Sequence, residues 1–229
     1  MANYDVTQAT DNGFGDTVGT LSWAILQANT DGGTLTSGDA SGADDTITLQ
    51  TNVQIDGVMK TLLNSNIEII GNGFTIDGDS STDADTDGNF RPLFVKSGTV
   101  TLSNLTVTNG LAKGGNSNGA GGGGGLGGGL FIYDGDVTLT NVVFSNNQAI
   151  GGNGGDTNVG NLGGGGLFSN TGNATGGGLF GGNYGGNGNY GGSGNGGFGG
   201  GGRVENAGGF GGGGGGGTRV NGGEGGIGG

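Results

Sequence analysis

The residue types able to do chemistry are few. The chain contains no His and no Cys, which excludes the usual Ser–His–acid triads, thiolate nucleophiles and disulfides. What it offers is carboxylate: 19 Asp and Glu stand against 6 Lys and Arg, a net charge of −13. The densest acidic stretch is "DGDSSTDADTDGN", Asp77 to Asn89, in which Asp83, Asp85 and Asp87 alternate before Gly88. Calcium takes about six to eight oxygen ligands, and D-x-D-x-D-G is the first half of a calcium loop. The second half fails, because Phe94 stands where a bidentate Glu belongs. A calcium site here would be completed by Asp77, Asp79 or backbone carbonyls. The plainer reading is an acidic, solvated insertion between two strands. A second, weaker signal is "GGNGGDTNV" (151–159), one imperfect copy of the calcium β-roll repeat.

The basic residues are Lys60, Arg91, Lys96, Lys113, Arg203 and Arg219. A polysaccharide lyase or hydrolase needs carboxylates clustered with a Lys or Arg on one strand face, and the pattern offers no such cluster. The acidic balance argues against nucleic acid, whose phosphates need cations, and against anionic membrane surfaces. No run of ~18 apolar residues predicts a membrane-spanning helix. "MANYDVTQAT" has neither a basic nor an apolar leader region, so no N-terminal secretion signal is visible.

The elements that must position these groups are mostly strands. One segment has helical spacing: in "TLSWAILQANT" (20–30), Leu21, Ala24, Ile25 and Ala28 share a face, with Thr20 as N-cap. From Asp45 onward the pattern becomes short two-residue alternation split by Gly, Asn and Asp. The bursts are "TITL", "VQI", "IEII", "FTI", "LFV", "VTL" and "LTV", then "LFI", "VTL" and "VVF", with "LF" at 167–168 and again at 179–180. "SGTVTLSNLTVTNGLAKGG" (97–115) repeats as "DGDVTLTNVVFSNNQAIGG" (134–152), an offset of 37.

A repeat of short strands cannot bury its own apolar face, so stacking of repeats is required. The expected fold is all-β: a parallel β-helix with an N-terminal capping helix and a glycine-rich flank, a β-sandwich being the structural alternative. Residues 1–45 form the cap, 46–150 the coils, and 151–229 a glycine-rich segment with further coil strands, continuing in a longer protein. Inward positions are Val100, Leu102, Leu105 and Val107, then Val137, Leu139, Val142 and Phe144. Asn104 and Asn141 sit at a corner, where a left-handed backbone and an amide ladder are expected. The helix is sized to plug the N-terminal end, the alternative being side packing.

Glycine dominates the last third of a chain that holds 68 of them. Gly182, Gly185, Gly188, Gly191, Gly194, Gly197 and Gly200 are each three apart, the period of polyproline II. Because the glycine runs enter before "LF" strands, runs from successive repeats are expected to lie side by side, as a glycine sheet or a polyproline-II layer.

"GTLSWAILQANT…ADDTITL" resembles the N-terminal cap of bacterial surface β-helix proteins whose hallmark reads C-S-L-R-E-A, although Ser22 and Trp23 replace its Arg and Glu and the Cys is missing. "IEIIGNGFTIDG" and "FRPLFVKSGTVTLSNLTVTNG" resemble that family's next coils. "GGGLFI" with "FSNN" is similar to the G-G-A-[IL] and F-x-x-N repeats of polymorphic outer-membrane proteins and adhesins. The resemblance covers roughly residues 5–150. It implies a secreted or cell-surface bacterial protein serving adhesion or extracellular matrix, with no particular reaction. The expected partners are other copies of the chain, through end-to-end stacking into fibres, or cell-surface glycans. Two other classes fit the residues: a polysaccharide-acting β-helix enzyme using Asp77 to Asp87, and a calcium- or ice-binding module, the latter on Thr rows such as Thr101 with Thr138.

Overall fold

The computed structural model describes residues 2–31, 45–79, 90–117, 119–155, 165–166, 207 and 210–215. The chain divides into two compact units, Met1–Leu111 with Gly127–Gln148, and Ala112–Leu126 with Ala149–Gly229.

The first unit is mostly β. Its elements are β1 (Asn3–Val6), β2 (Thr10–Asp11), α1 (Leu21–Asp31), β3 (Asp45–Leu49), β4 (Val53–Ile55), β5 (Ile67–Ile70), β6 (Thr75–Asp77), β7 (Leu93–Val95) and β8 (Thr99–Thr108). In chain order β9 (Leu111–Lys113), β10 (Leu130–Ile132), β11 (Asp136–Ser145) and β12 (Gln148–Ile150) follow, β9 and β12 lying mostly in the second unit's segments. The main sheet runs β1-β3-β5-β8-β6-β4-β2, with β11 added on β8. Its registered pairs are parallel. β10 pairs with β7 and β12 with β9.

The sheet curls because β8 bends. Its first half lies on β5 and its second half on β6, and Asn104 at the bend has a φ of 53°. Asn141 repeats that geometry one pass later, also at 53°, and donates its Nδ2 to Asn104 Oδ1 at 3.1 Å. The corner and its amide ladder follow the sequence expectation. Asn72, Asn109 and Asn146 make further left-handed corners that the sequence pattern did not single out. The paired bursts "VTL"/"LTV" and "VTL"/"VVF" are each one bent strand rather than two.

Packing follows register. Tyr4, Ile47, Ile69, Leu102 and Leu139 form one column across five successive strands. Val53, Ile76, Val107 and Phe144 form a second, and Leu63, Val95 and Ile132 a third. The inner members of all three columns are fully buried. Each such Leu, Ile or Val contributes about 1.5–3 kcal/mol of burial.

At the far end the expectation needs correction. Val137, Leu139, Val142 and Phe144 do face the same way as Val100, Leu102, Leu105 and Val107. Yet Leu139 is 46% and Phe144 41% exposed, and Val137 and Val142 are only partly buried. Inward direction buries a side chain only when another layer lies above it, and among the described residues no strand pairs with the far edge of β11.

At the near end α1 closes the sheet. Leu21, Ala24, Ile25 and Ala28 are buried, and Trp23 meets Tyr4 edge to face at 5.9 Å. The helix starts one residue later than the capping Thr20, whose Oγ1 accepts from Trp23 N at 3.2 Å. Within the first 45 residues, β1 and β2 pair with β3 and β4.

The second unit is built from glycine runs. The run Gly119–Gly125 is hydrogen-bonded to four others. Gly123 N donates to Gly115 O at 2.9 Å, Gly152 N to Gly123 O at 2.8 Å, Gly165 N to Gly121 O at 2.9 Å, and Gly121 N to Gly214 O at 3.0 Å. A β-strand offers its peptide groups to two sides only, so this run is not a member of a ladder. The "LF" pairs at 167–168 and 179–180 and the three-residue glycine phase at 182–200 lie outside the described residues.

Candidate functional site

The acidic segment starts where β6 ends. Asp77 Oδ1 accepts from Asp79 N at 3.0 Å and from Asn109 Nδ2 at 3.0 Å. The Asp79 carbonyl accepts from Gln54 Nε2 at 2.7 Å. Asp77 is thus held as a corner acceptor between two passes of the chain, an arrangement the spacing of aspartates did not reveal. Asp83, Asp85 and Asp87 lie outside the described residues. Among the described residues no three His, Cys, Asp or Glu come together as a metal cage.

Two other polar constellations are buried. Asp11 Oδ1 accepts from Ser22 Oγ at 2.6 Å and Gly13 N at 2.8 Å, while its Oδ2 accepts from Ser22 N at 2.5 Å. The carboxylate therefore satisfies a first-turn N–H of α1, where negative charge is favoured. Both residues are sealed from solvent, so this acid–hydroxyl pair fixes the helix rather than meeting a substrate.

Arg91 is the second. It is 5% exposed, donates Nε to Gly127 O at 2.8 Å, and lies 5.4 Å from the ring centres of both Phe94 and Phe131. Those rings meet edge to face at 4.9 Å. Burial pushes the guanidinium down to about 9, so it remains cationic at neutral pH. The planar cation stacks where two strand neighbours place aromatic faces. This is a clamp between β7 and β10.

The remaining surface with a specific chemistry is the open end of the sheet. The three columns end on Leu139, Phe144 and Ile132, which are 46%, 41% and 44% exposed, and Val143 beside them is 56% exposed. The edge of β11 is ten residues long. It joins apolar side chains to ladder groups that no strand among the described residues pairs, the combination that recruits another strand. The sequence repeat gave Leu139 and Phe144 their direction correctly but treated them as core.

The outward row next to the first column reads Thr46, Glu68, Thr101 and Thr138, so an acidic side chain interrupts the threonines. No helix among the described residues is long and apolar enough to cross a membrane. No protein-family model, no curated protein and no solved structure matches the chain.

Proposed function

We propose that the curled sheet is a parallel β-helix solenoid, and that the chain is a structural or adhesive module of a secreted or cell-surface bacterial protein. The carrying observation is the stacking of like residues in three apolar columns, closed by α1 at one end and open at the other. The two most regular polar groups, the Asn104–Asn141 ladder and the Asp11–Ser22 lock, serve rigidity rather than turnover. In this reading the glycine runs are polyproline-II rods. Three residues per turn aim successive peptide groups in three directions, which accounts for the four neighbours of Gly119–Gly125. The partners are further copies of the chain or cell-surface glycans. Binding of the purified chain to cells and to a glycan array, with electron microscopy of the same sample, tests the proposal. A protein that binds neither and stays a single rod at high concentration would remove its support.

The acidic segment supports a second, compatible reading. Asp77 and Asp79 anchor the foot of a stretch that also holds Asp83, Asp85 and Asp87, and calcium is the ion suited to such an oxygen-rich loop. An ion bound only by the folded chain raises its melting temperature. Equal melting temperatures in excess Ca2+ and in EDTA would sink the calcium reading and leave the scaffold untouched.

A further inference from the structure

We propose that the open end of the sheet is a self-association surface whose occupant is the same end of a second copy, giving a closed twofold pair rather than a fibre. The inference rests on the stacked-pass reading above and adds its partner and symmetry.

A fibre of head-to-tail copies needs two complementary ends. The near end of this sheet is covered: α1 buries Leu21, Ala24, Ile25 and Ala28 over the start of the columns, and the Thr7 and Gln8 amides beside β1 already donate to Gly19 O at 2.9 and 3.0 Å. Among the described residues, only the far end presents apolar side chains together with a strand edge that no other strand pairs. One adhesive end per molecule closes on itself in a twofold pair.

The chain's own continuation is a poor occupant. Extending the offset of 37 by one more repeat sets Ala174 against Val137, Gly176 against Leu139, Leu179 against Val142 and Gly181 against Phe144. At the two most exposed inward positions that segment brings no side chain. A second copy brings the full set.

The bend in β11 makes the pairing self-complementary. A twofold between Thr140 and Asn141, at the corner, exchanges the two arms of the strand. Position 139 then meets 142 of the second copy, and 137 meets 144, in antiparallel register. Every inward residue faces an inward residue: Leu139 with Val142, and Val137 with Phe144. The outward Thr138 and Val143 meet on the other face.

Sedimentation and light scattering of the full chain at roughly 100 μM should give twice the chain mass. Leu139→Asp with Phe144→Asp should weaken the pair by roughly a hundredfold or more, while amide protection at Ile69 and Leu102 is retained. The chain has no cysteine, so Thr138→Cys with Val143→Cys supplies an independent check: oxidation should yield covalent dimers and nothing larger. A monomer with Ile69 and Leu102 still protected would overturn the pair and leave the stacked passes standing. Loss of protection at those amides in the unmodified chain would overturn the stacked passes as well. Open-ended oligomers, or a dimer that survives both aspartates, would overturn the twofold geometry.

Discussion

Gly151 and Gly152 are neighbours in sequence and opposites in packing. A Cβ on Gly151 would meet only the Gly123 carbonyl oxygen, at 3.9 Å, an ordinary contact. A Cβ on Gly152 would lie 2.0 Å from the Gly115 oxygen, 2.5 Å from the Gly115 carbonyl carbon and 2.8 Å from the Gly114 oxygen. All three are backbone atoms, so no side-chain rotation relieves the overlap. The runs would have to part by about 1 Å to restore van der Waals separation. That motion strains the Gly152 N–Gly123 O and Gly114 N–Ile150 O hydrogen bonds, both 2.8 Å. Each is worth about 1 kcal/mol net, and overpacking itself costs about 1–3 kcal/mol. Gly152→Ala should therefore destabilise the glycine array by roughly 3–5 kcal/mol. Gly151→Ala should be neutral or stabilise by about 0.4–1 kcal/mol, because it narrows only the unfolded ensemble. Since the chain forms two units, a single melting curve need not report this one. Amide exchange at Gly123 and Gly152 reads the local opening directly. The expected gap is roughly a thousandfold in protection between the two variants. Equal protection in Gly151→Ala and Gly152→Ala would refute the packed array, since free linkers would accept either alanine.

Leu102 and Leu139 occupy the same place on successive passes, yet Leu102→Ala should cost about 2–5 kcal/mol by cavity formation and Leu139→Ala less than about 1, measured by denaturant titration of each single variant at a concentration low enough to keep the chain monomeric. Asn104→Ala should lose about 1–2 kcal/mol from the left-handed corner and the severed amide ladder, whereas Asn104→Gly recovers the backbone part; equal losses would show that the corner is not the cause. Arg91 titrates at about 9 when folded, well below its ordinary value, because burial penalises the charged form. Between those values the unfolded chain binds the extra proton, so this group makes stability rise with pH across that window and contributes its full burial cost below it. The stability of Arg91→Met relative to the unmodified chain should accordingly be level below about pH 9 and fall as the pH rises above it; a difference independent of pH would refute a buried, titrating guanidinium.

Strand direction and column membership were legible in the sequence. Alternation of Val, Leu and Ile with Thr and Asn sets which side chains face inward, and the offset of 37 aligns Leu102 with Leu139 because each strand residue pairs with its equivalent one pass away. Asn104 and Asn141 were legible for the same reason: a small amide at a fixed place between two bursts is the residue type that tolerates a positive φ. The α1 pattern was equally plain, since four apolar residues at helical spacing admit one buried face. Burial, by contrast, belongs to the tertiary structure. Whether Phe144 is core or surface depends on what lies above β11, and nothing within the strand encodes that. The sequence pattern did not single out Asp11, and Arg91 stood there as one of six scattered cations. Only folding brings Asp11 to Ser22 across the turn that leads into α1, and only the pairing of β7 with β10 brings Phe131 to Phe94 and Arg91. The glycines were the least legible of all. Composition makes every one of them equally free, and the distance from an absent Cβ to a neighbouring carbonyl, 3.9 Å at Gly151 and 2.0 Å at Gly152, is a property of the packed array alone.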